Sequence, residues 1–136
     1  MSAKFRMPVE VRWGDMDAFG HVNSGAYLAY LEEARVQWMN SVPCHWQSRE
    51  TGPVVANISI NYRQAIHWPA RIELTLKPLS PGRSSIKLEH EIRELGDTPG
   101  KGVLYADATV TLVWIDKDKG ESVPLPTAIR DLAADD

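Results

Sequence analysis

One stretch of this chain carries a long helical period, and nearly everything around it alternates. From about Gly25 to Asn40, Tyr27, Leu31, Ala34 and Trp38 recur at spacings of four, three and four, which is a single stripe on an α-helix. Ala26, Leu28 and Ala29 widen the stripe, so most of the first turns are expected to be buried and the helix to be apolar nearly all round. Such a helix needs a sheet wrapped about it. Asn23 or Ser24 is placed to supply the N-cap.

The flanking segments supply that sheet. Lys4–Trp13 sets Phe5, Met7, Val9, Val11 and Trp13 on one face and Lys4, Arg6, Glu10 and Arg12 on the other, a half-buried strand. Gly14–Ser24 breaks the period and reads as a loop, and Ser41–Gly52 is irregular. A long strand is expected from Val54 to Ile66, with Val54, Ala56, Ile58, Ile60 and Tyr62 on one side, stopped by Trp68-Pro69.

Three further strands follow. Ala70–Leu79 buries Ile72, Leu74 and Leu76; Arg83–Leu95 buries Ile86, Leu88 and Ile92. Val103–Ile115 buries Leu104, Ala106, Ala108, Val110, Leu112 and Trp114. Arg71, Glu73, Thr75 and Lys77 on one outer face meet Lys87, Glu89, Glu91 and Arg93 on the next, so opposite charges can pair across strands. A charged turn at Asp116–Gly120 and a short helix at Thr127–Leu132 come after. Hairpin-length connections make the last strands an antiparallel meander. The class is α+β: a curled antiparallel five-stranded sheet around one long central helix. Cystatin-like and ferredoxin-like arrangements fit the same pattern.

Size and charge narrow the function. Residues 1–136 suffice for one domain with one core. A net charge of −3 argues against a nucleic-acid role, which calls for a basic surface. No apolar run approaches the roughly 20 residues of a membrane span. Met1–Glu10 has no signal-peptide core, and Cys44, the single cysteine, fits a reducing compartment. The expected location is the cytoplasm.

The chemistry concentrates in Arg12–Arg35, RWGDMDAFGHVNSGAYLAYLEEAR. Asp15 and Asp17 lie just before the helix start, where backbone N–H groups are unpaired and the dipole end is positive. A carboxylate and an electropositive helix end held close together can act on one carbonyl. Asp15 reads as a turn or capping residue; Asp17 fits either a turn or a catalyst. His21 either anchors the loop or contacts water or a leaving group. Tyr27 belongs to the core stripe, yet its first-turn hydroxyl can reach a pocket. Cys44-His45 lacks a second pair at ligand spacing, so no metal or other cofactor is expected. His90 shares a face with Leu88 and Ile92 and reads as a satisfied core histidine; His67 belongs to no cluster. No nucleophile elbow, P-loop or dinucleotide fingerprint is present.

Gly14-Asp15-Met16-Asp17, Gly20-His21-Val22-Asn23, and then Tyr27, Tyr30, Glu33, Ala34 and Arg35 form a specific run that resembles the hotdog-fold acyl-CoA thioesterases of the 4-hydroxybenzoyl-CoA thioesterase type. Asn61-Tyr62 and Gly82-Arg83-Ser84-Ser85 agree with it. The resemblance implies hydrolysis of an acyl-CoA to free acid and coenzyme A, with Asp17 as nucleophile or general base and His21 as the second candidate catalytic residue. It implies carbonyl polarisation by a backbone N–H near Ser24, with Asn23, Gly25 and Tyr27 around the substrate. Arg83, Ser84 and Ser85 either bind the phosphates of coenzyme A or form an ordinary solvated turn. Ser24 stands where many relatives carry a second asparagine. The family implies a homodimer with sheets joined edge to edge, often doubled to a tetramer, and active sites at the subunit interface. An acyl-carrier-protein thioesterase and a non-catalytic acyl-CoA-binding protein are the alternatives; a dehydratase is disfavoured, because no recognisable dehydratase motif pairs a histidine with a carboxylate in this chain.

The chemistry suits these residues. The leaving thiol has a pKa of about 8–9, near that of cysteine, so it departs as thiolate without a strong general acid. The site must provide a nucleophile or base and a home for the oxyanion, for which each N–H donor contributes about 3–4 kcal/mol.

Overall fold

The computed structural model describes residues 5–134. Strands β1 (Phe5–Glu10), β2 (Thr51–Tyr62), β3 (Arg71–Pro78), β4 (Ser85–Glu94) and β5 (Leu104–Asp116) form one antiparallel sheet in the order β1-β3-β4-β5-β2. Helix α1 (Ser24–Ser41) lies across β3 and β1, and a short helix α2 (Thr127–Ala134) follows the last strand. This is the curled sheet on one long helix that the pattern implied.

The core sits between α1 and the inner face of the sheet. Tyr27, Leu31, Ala34 and Trp38 are all buried there, as their spacing required. Opposite them lie Ile72, Leu74 and Leu76 of β3, Ile86, Leu88 and Ile92 of β4, and Ala106, Ala108, Val110, Leu112 and Trp114 of β5. Leu104, expected with them, is only partly buried. α2 adds Ile129 and Ala133 to the half of the core that holds Trp38 and Trp114, so α1 is not the sheet's only cover.

Several expectations are corrected. β1 stops at Glu10, and Trp13 enters a short 3-10 turn with its ring 73% exposed rather than in the core. Leu28 and Ala29 are exposed, and with Glu32, Glu33 and Gln37 they give α1 a solvent face. β2 runs Thr51–Tyr62, so Ile66 lies beyond it, though fully buried. Val54, Val55, Ile58 and Tyr62 are exposed. The reason is positional: β2 is an edge strand bonded only to β5, and α1 sits over the other edge. A bulge at Ala56, between the pairs Val55–Leu112 and Asn57–Thr111, also resets its alternation.

On the outer face, the register sets Glu73 opposite Arg93 and Lys77 opposite Glu89. The ion pairs formed are different: Arg6 of β1 reaches Glu73 of β3 at 2.9 Å, and Arg93 pairs with Glu91 of its own strand at 3.0 Å. No helix among the described residues is long and apolar enough to cross a membrane.

Candidate functional site

The segment joining β1 to α1 is built as a small closed loop. Val11 donates its N–H to Ala70 O at 3.0 Å, fixing where the chain leaves the sheet. Met16 and Val22 then form an antiparallel bridge, with Asp17 N–H donating to His21 O at 3.1 Å and Gly20 N–H to Asp17 O at 3.1 Å. The reversal needs a left-handed residue, supplied by Gly20 at φ +88°. Val22 N–H donates to Ile66 O at 2.8 Å, tying the loop to the segment after β2.

The two aspartates divide the work. Asp15 is buried and accepts from the Tyr30 hydroxyl at 2.7 Å and from Arg12 through its backbone N–H, Nε and Nη2 at 3.0, 3.2 and 2.9 Å. Burial pushes its pKa up, but the Tyr30 and Arg12 hydrogen bonds outweigh it and leave the carboxyl below its usual range. Burial and the Asp15 hydrogen bond drive the Tyr30 phenol well above its usual value. Every lone-pair direction of Asp15 faces scaffold, as its turn-or-cap reading implied.

Asp17 is half-buried and differently engaged. Oδ1 accepts the Phe19 N–H at 2.9 Å, closing an Asx turn, and Oδ2 lies 3.4 Å from Asn23 Nδ2. Asn23 is the N-cap of α1, its Oδ1 accepting the Gly25 N–H at 2.7 Å. The carboxylate is thus linked through one side chain to the start of the helix. Gly25 N–H is occupied by this cap and Ala26 N–H by Asn23 O. The Ser24 amide has no acceptor among the described residues.

Asp17, His21, Asn23, Ser24 and Tyr27 line one cleft of about 430 Å³. His21 shows no hydrogen bond to Asp17; its Nδ1 lies 3.4 Å from Val22 O, and its ring stacks on Phe19. The Tyr27 hydroxyl donates to Gln64 O at 3.3 Å, and its ring meets Tyr62 edge-on at 5.0 Å. Burial raises the Tyr27 phenol. Among the described residues, no group of three His, Cys, Asp or Glu side chains is placed to hold a metal.

Sequence patterns missed the far wall of this cleft. Tyr62, whose hydroxyl donates to Ser24 O at 3.1 Å, ends β2, and Arg63 and Gln64 follow it directly. Asp107 holds Arg63 Nε at 2.8 Å and also accepts Asn61 Nδ2 at 2.9 Å, so the strand end is pinned to β5. The signal available was the polar run Asn61–Gln64 interrupting an apolar strand.

Arg83, Ser84 and Ser85 lie elsewhere. Ser85 pairs with Val113 on β5, whereas Tyr62 pairs with Ala106, a separation of about 23 Å along the sheet. Arg83 O accepts from Leu125 N–H at 2.9 Å and Arg130 Nη2 at 2.7 Å. Within one chain this turn and Asp17 occupy opposite ends of the molecule.

Comparison with known proteins agrees with the architecture. The PA2801 protein of Pseudomonas aeruginosa superposes with a TM-score of 0.85 at 35% identity, over 96% of this chain and 98% of that one. A thioesterase of Thermus thermophilus, solved with coenzyme A and zinc, gives 0.79 at 29% identity over 97% and 98%. In sequence, the long-chain acyl-CoA thioesterase FadM of Escherichia coli is 32% identical over 127 residues, 90% of this chain and 92% of that protein. The family model described as the thioesterase-like superfamily matches residues 11–132. With that match across nearly the whole chain and the sheet curled on one helix, the protein belongs to the thioesterase-like superfamily and is a thioester hydrolase of the hotdog fold.

Proposed function

We propose that the chain hydrolyses acyl-CoA thioesters, with Asp17 as nucleophile or general base and the first amide of α1 as oxyanion donor. The observation that carries this reading is the link from Asp17 through Asn23 to the helix start, beside the unoccupied Ser24 N–H. A thioester carbonyl lying between them would meet a carboxylate on one side and an N–H at the positive helix end on the other. Asp17 can add to the carbonyl carbon, expelling coenzyme A as thiolate and leaving a mixed anhydride that water cleaves. Alternatively it takes a proton from the water that attacks. Both routes need one carboxylate and one N–H donor, and no third group.

The proposed assembly is a homodimer, with β2 edges joined antiparallel about a two-fold axis; a tetramer would double it. The exposed apolar edge of β2 supports it, since a long free edge of this kind is otherwise a liability. The pairing would also bring the partner's Arg83 to the Tyr62 end, next to Asp17. In this reading Arg83, Ser84 and Ser85 receive coenzyme A phosphates across the interface, and the protein works in the reducing cytoplasm.

The test is Asp17→Asn, assayed for free thiol on acyl-CoA esters from acetyl to palmitoyl and on the same acyl groups carried by acyl carrier protein. The rate is expected to fall by about 10²–10⁴-fold while the variant stays folded. Near-full activity in a folded Asp17→Asn protein overturns the assignment, and hydrolysis confined to the carrier-bound esters overturns coenzyme A as the carrier.

A further inference from the structure

Asp17 borders two clefts. The one described above opens toward β2 and presents the Ser24 amide, Asn23, Gln64 and Arg63. The second, about 460 Å³, also takes in Asp17 and is walled by Trp13, Met16, Ala18 and Trp68. Asp17 is the only ionisable side chain among the described residues lining it. Trp13 is 73% and Trp68 46% exposed, although rings of this size bury readily in a core.

One wall of the cleft is part of the loop that carries Asp17. Met16 N–H donates to Trp13 O at 3.1 Å, and Met16 bridges Val22 immediately before the candidate carboxylate. Its volume lies within the range of about 300–1,000 Å³ typical of small-ligand sites.

We propose that the Trp13–Trp68 cleft receives the acyl group of the substrate and that these two rings select extended apolar acyl groups over short ones. The proposal rests on the thioesterase reading and adds the substrate class. A thioester joins two unlike arms at one carbonyl, and that carbonyl must reach Asp17 whichever way the molecule lies. The β2-side cleft offers hydrogen-bonding groups that suit the amide-rich arm of coenzyme A. The tryptophan cleft offers only the two indole N–H groups as side-chain donors and no cation for a phosphate, and its one charge is negative. The apolar arm therefore fits on the tryptophan side, with carrier and acyl group leaving Asp17 through different clefts.

Trp13→Ala, Trp68→Ala and the double variant test this through selectivity. The ratio of kcat/KM for decanoyl-CoA to that for acetyl-CoA is expected to fall at least about tenfold in each single variant, and further in the double. A ratio unchanged within about twofold overturns the cleft assignment while leaving the thioesterase reading intact.

If the wild-type chain hydrolyses none of these esters, it is the proposed acyl-CoA activity that fails. Calorimetry then judges the cleft alone, using a non-hydrolysable decyl thioether of coenzyme A against coenzyme A itself. The decyl group is expected to tighten binding at least about tenfold in the wild type, and the double variant to lose that gain. Equal decyl contributions in both proteins, or none in the wild type, overturn the proposal.

Discussion

His90 and Arg35 carry the largest unbalanced charge chemistry of the core. His90, 2% exposed, sets Nδ1 3.1 Å from Thr75 O, so the proton sits there and Nε2 is left without a partner. Arg35, from the facing helix, is also buried, and its Nη1 has no acceptor among the described residues. Burial, and next the Arg35 guanidinium, bring the His90 pKa down to about 4 against the opposing Thr75 bond. An unfolded histidine titrates near 6.5, so between those values the unfolded chain binds a proton that the folded chain refuses. Stability is therefore full above pH 6.5 and declines as pH falls toward 4, by on the order of 3 kcal/mol in total. His90→Leu is expected to flatten that part of the slope in urea unfolding between pH 7 and 4.5; an unchanged slope counts against this account. Hydropathy placed His90 in the core, and the fold agrees, but half its hydrogen-bonding capacity is unmet. Arg35 was not legible at all as buried, because hydropathy assigns every guanidinium to the surface whatever its helical angle.

At the scale of elements, the junction between loop and helix couples stability to chemistry. Asn23 caps α1 with Oδ1 and reaches Asp17 with Nδ2, so one side chain does both. Asn23→Ala is expected to cost about 1 kcal/mol of stability and to lower kcat as well. Asn23→Asp separates the two effects: a carboxylate caps a helix as well as an amide does, yet it places a second negative charge beside Asp17. Its melting temperature should match wild type while kcat falls at least as far as in the alanine variant. Equal activity in wild type and Asn23→Asp would show that the Asp17 contact is incidental. The cap was readable to Asn23 or Ser24, as were the inward faces of β3 and β4 and that of β5 apart from Leu104, because local chemistry and period decide them. Trp13 and β2 were misjudged for the opposite reason. Their apolar residues do alternate, but a turn and an edge position, both set by tertiary structure, keep them out of the core.

At the scale of the whole molecule, the proposed dimer requires that two chains contribute to one site. Asp17 and Arg83 lie at opposite ends of a subunit, so both serve one substrate only if Arg83 acts across the interface. Complementation decides this without a structure of the assembly. If Asp17 is the catalytic carboxylate and Arg83 the phosphate contact of a homodimer, Asp17→Asn and Arg83→Ala each impair the dimer they form alone. When the two are unfolded together and refolded, half the dimers pair one chain of each kind. Under the trans arrangement such a dimer has one site with both residues intact and one with neither. The mixture should regain about a quarter of wild-type activity at substrate concentrations where each parent is nearly silent. If Arg83 served the carboxylate of its own chain, no heterodimer site would hold both residues and mixing would restore nothing. Ile58→Lys, at the exposed centre of β2, provides the matching control. It should give monomers by light scattering and abolish the rescue, since paired lysines on a shared edge repel. No period or motif in a single chain encodes this arrangement. The exposed apolar edge of β2 is the feature of the single chain that supports it.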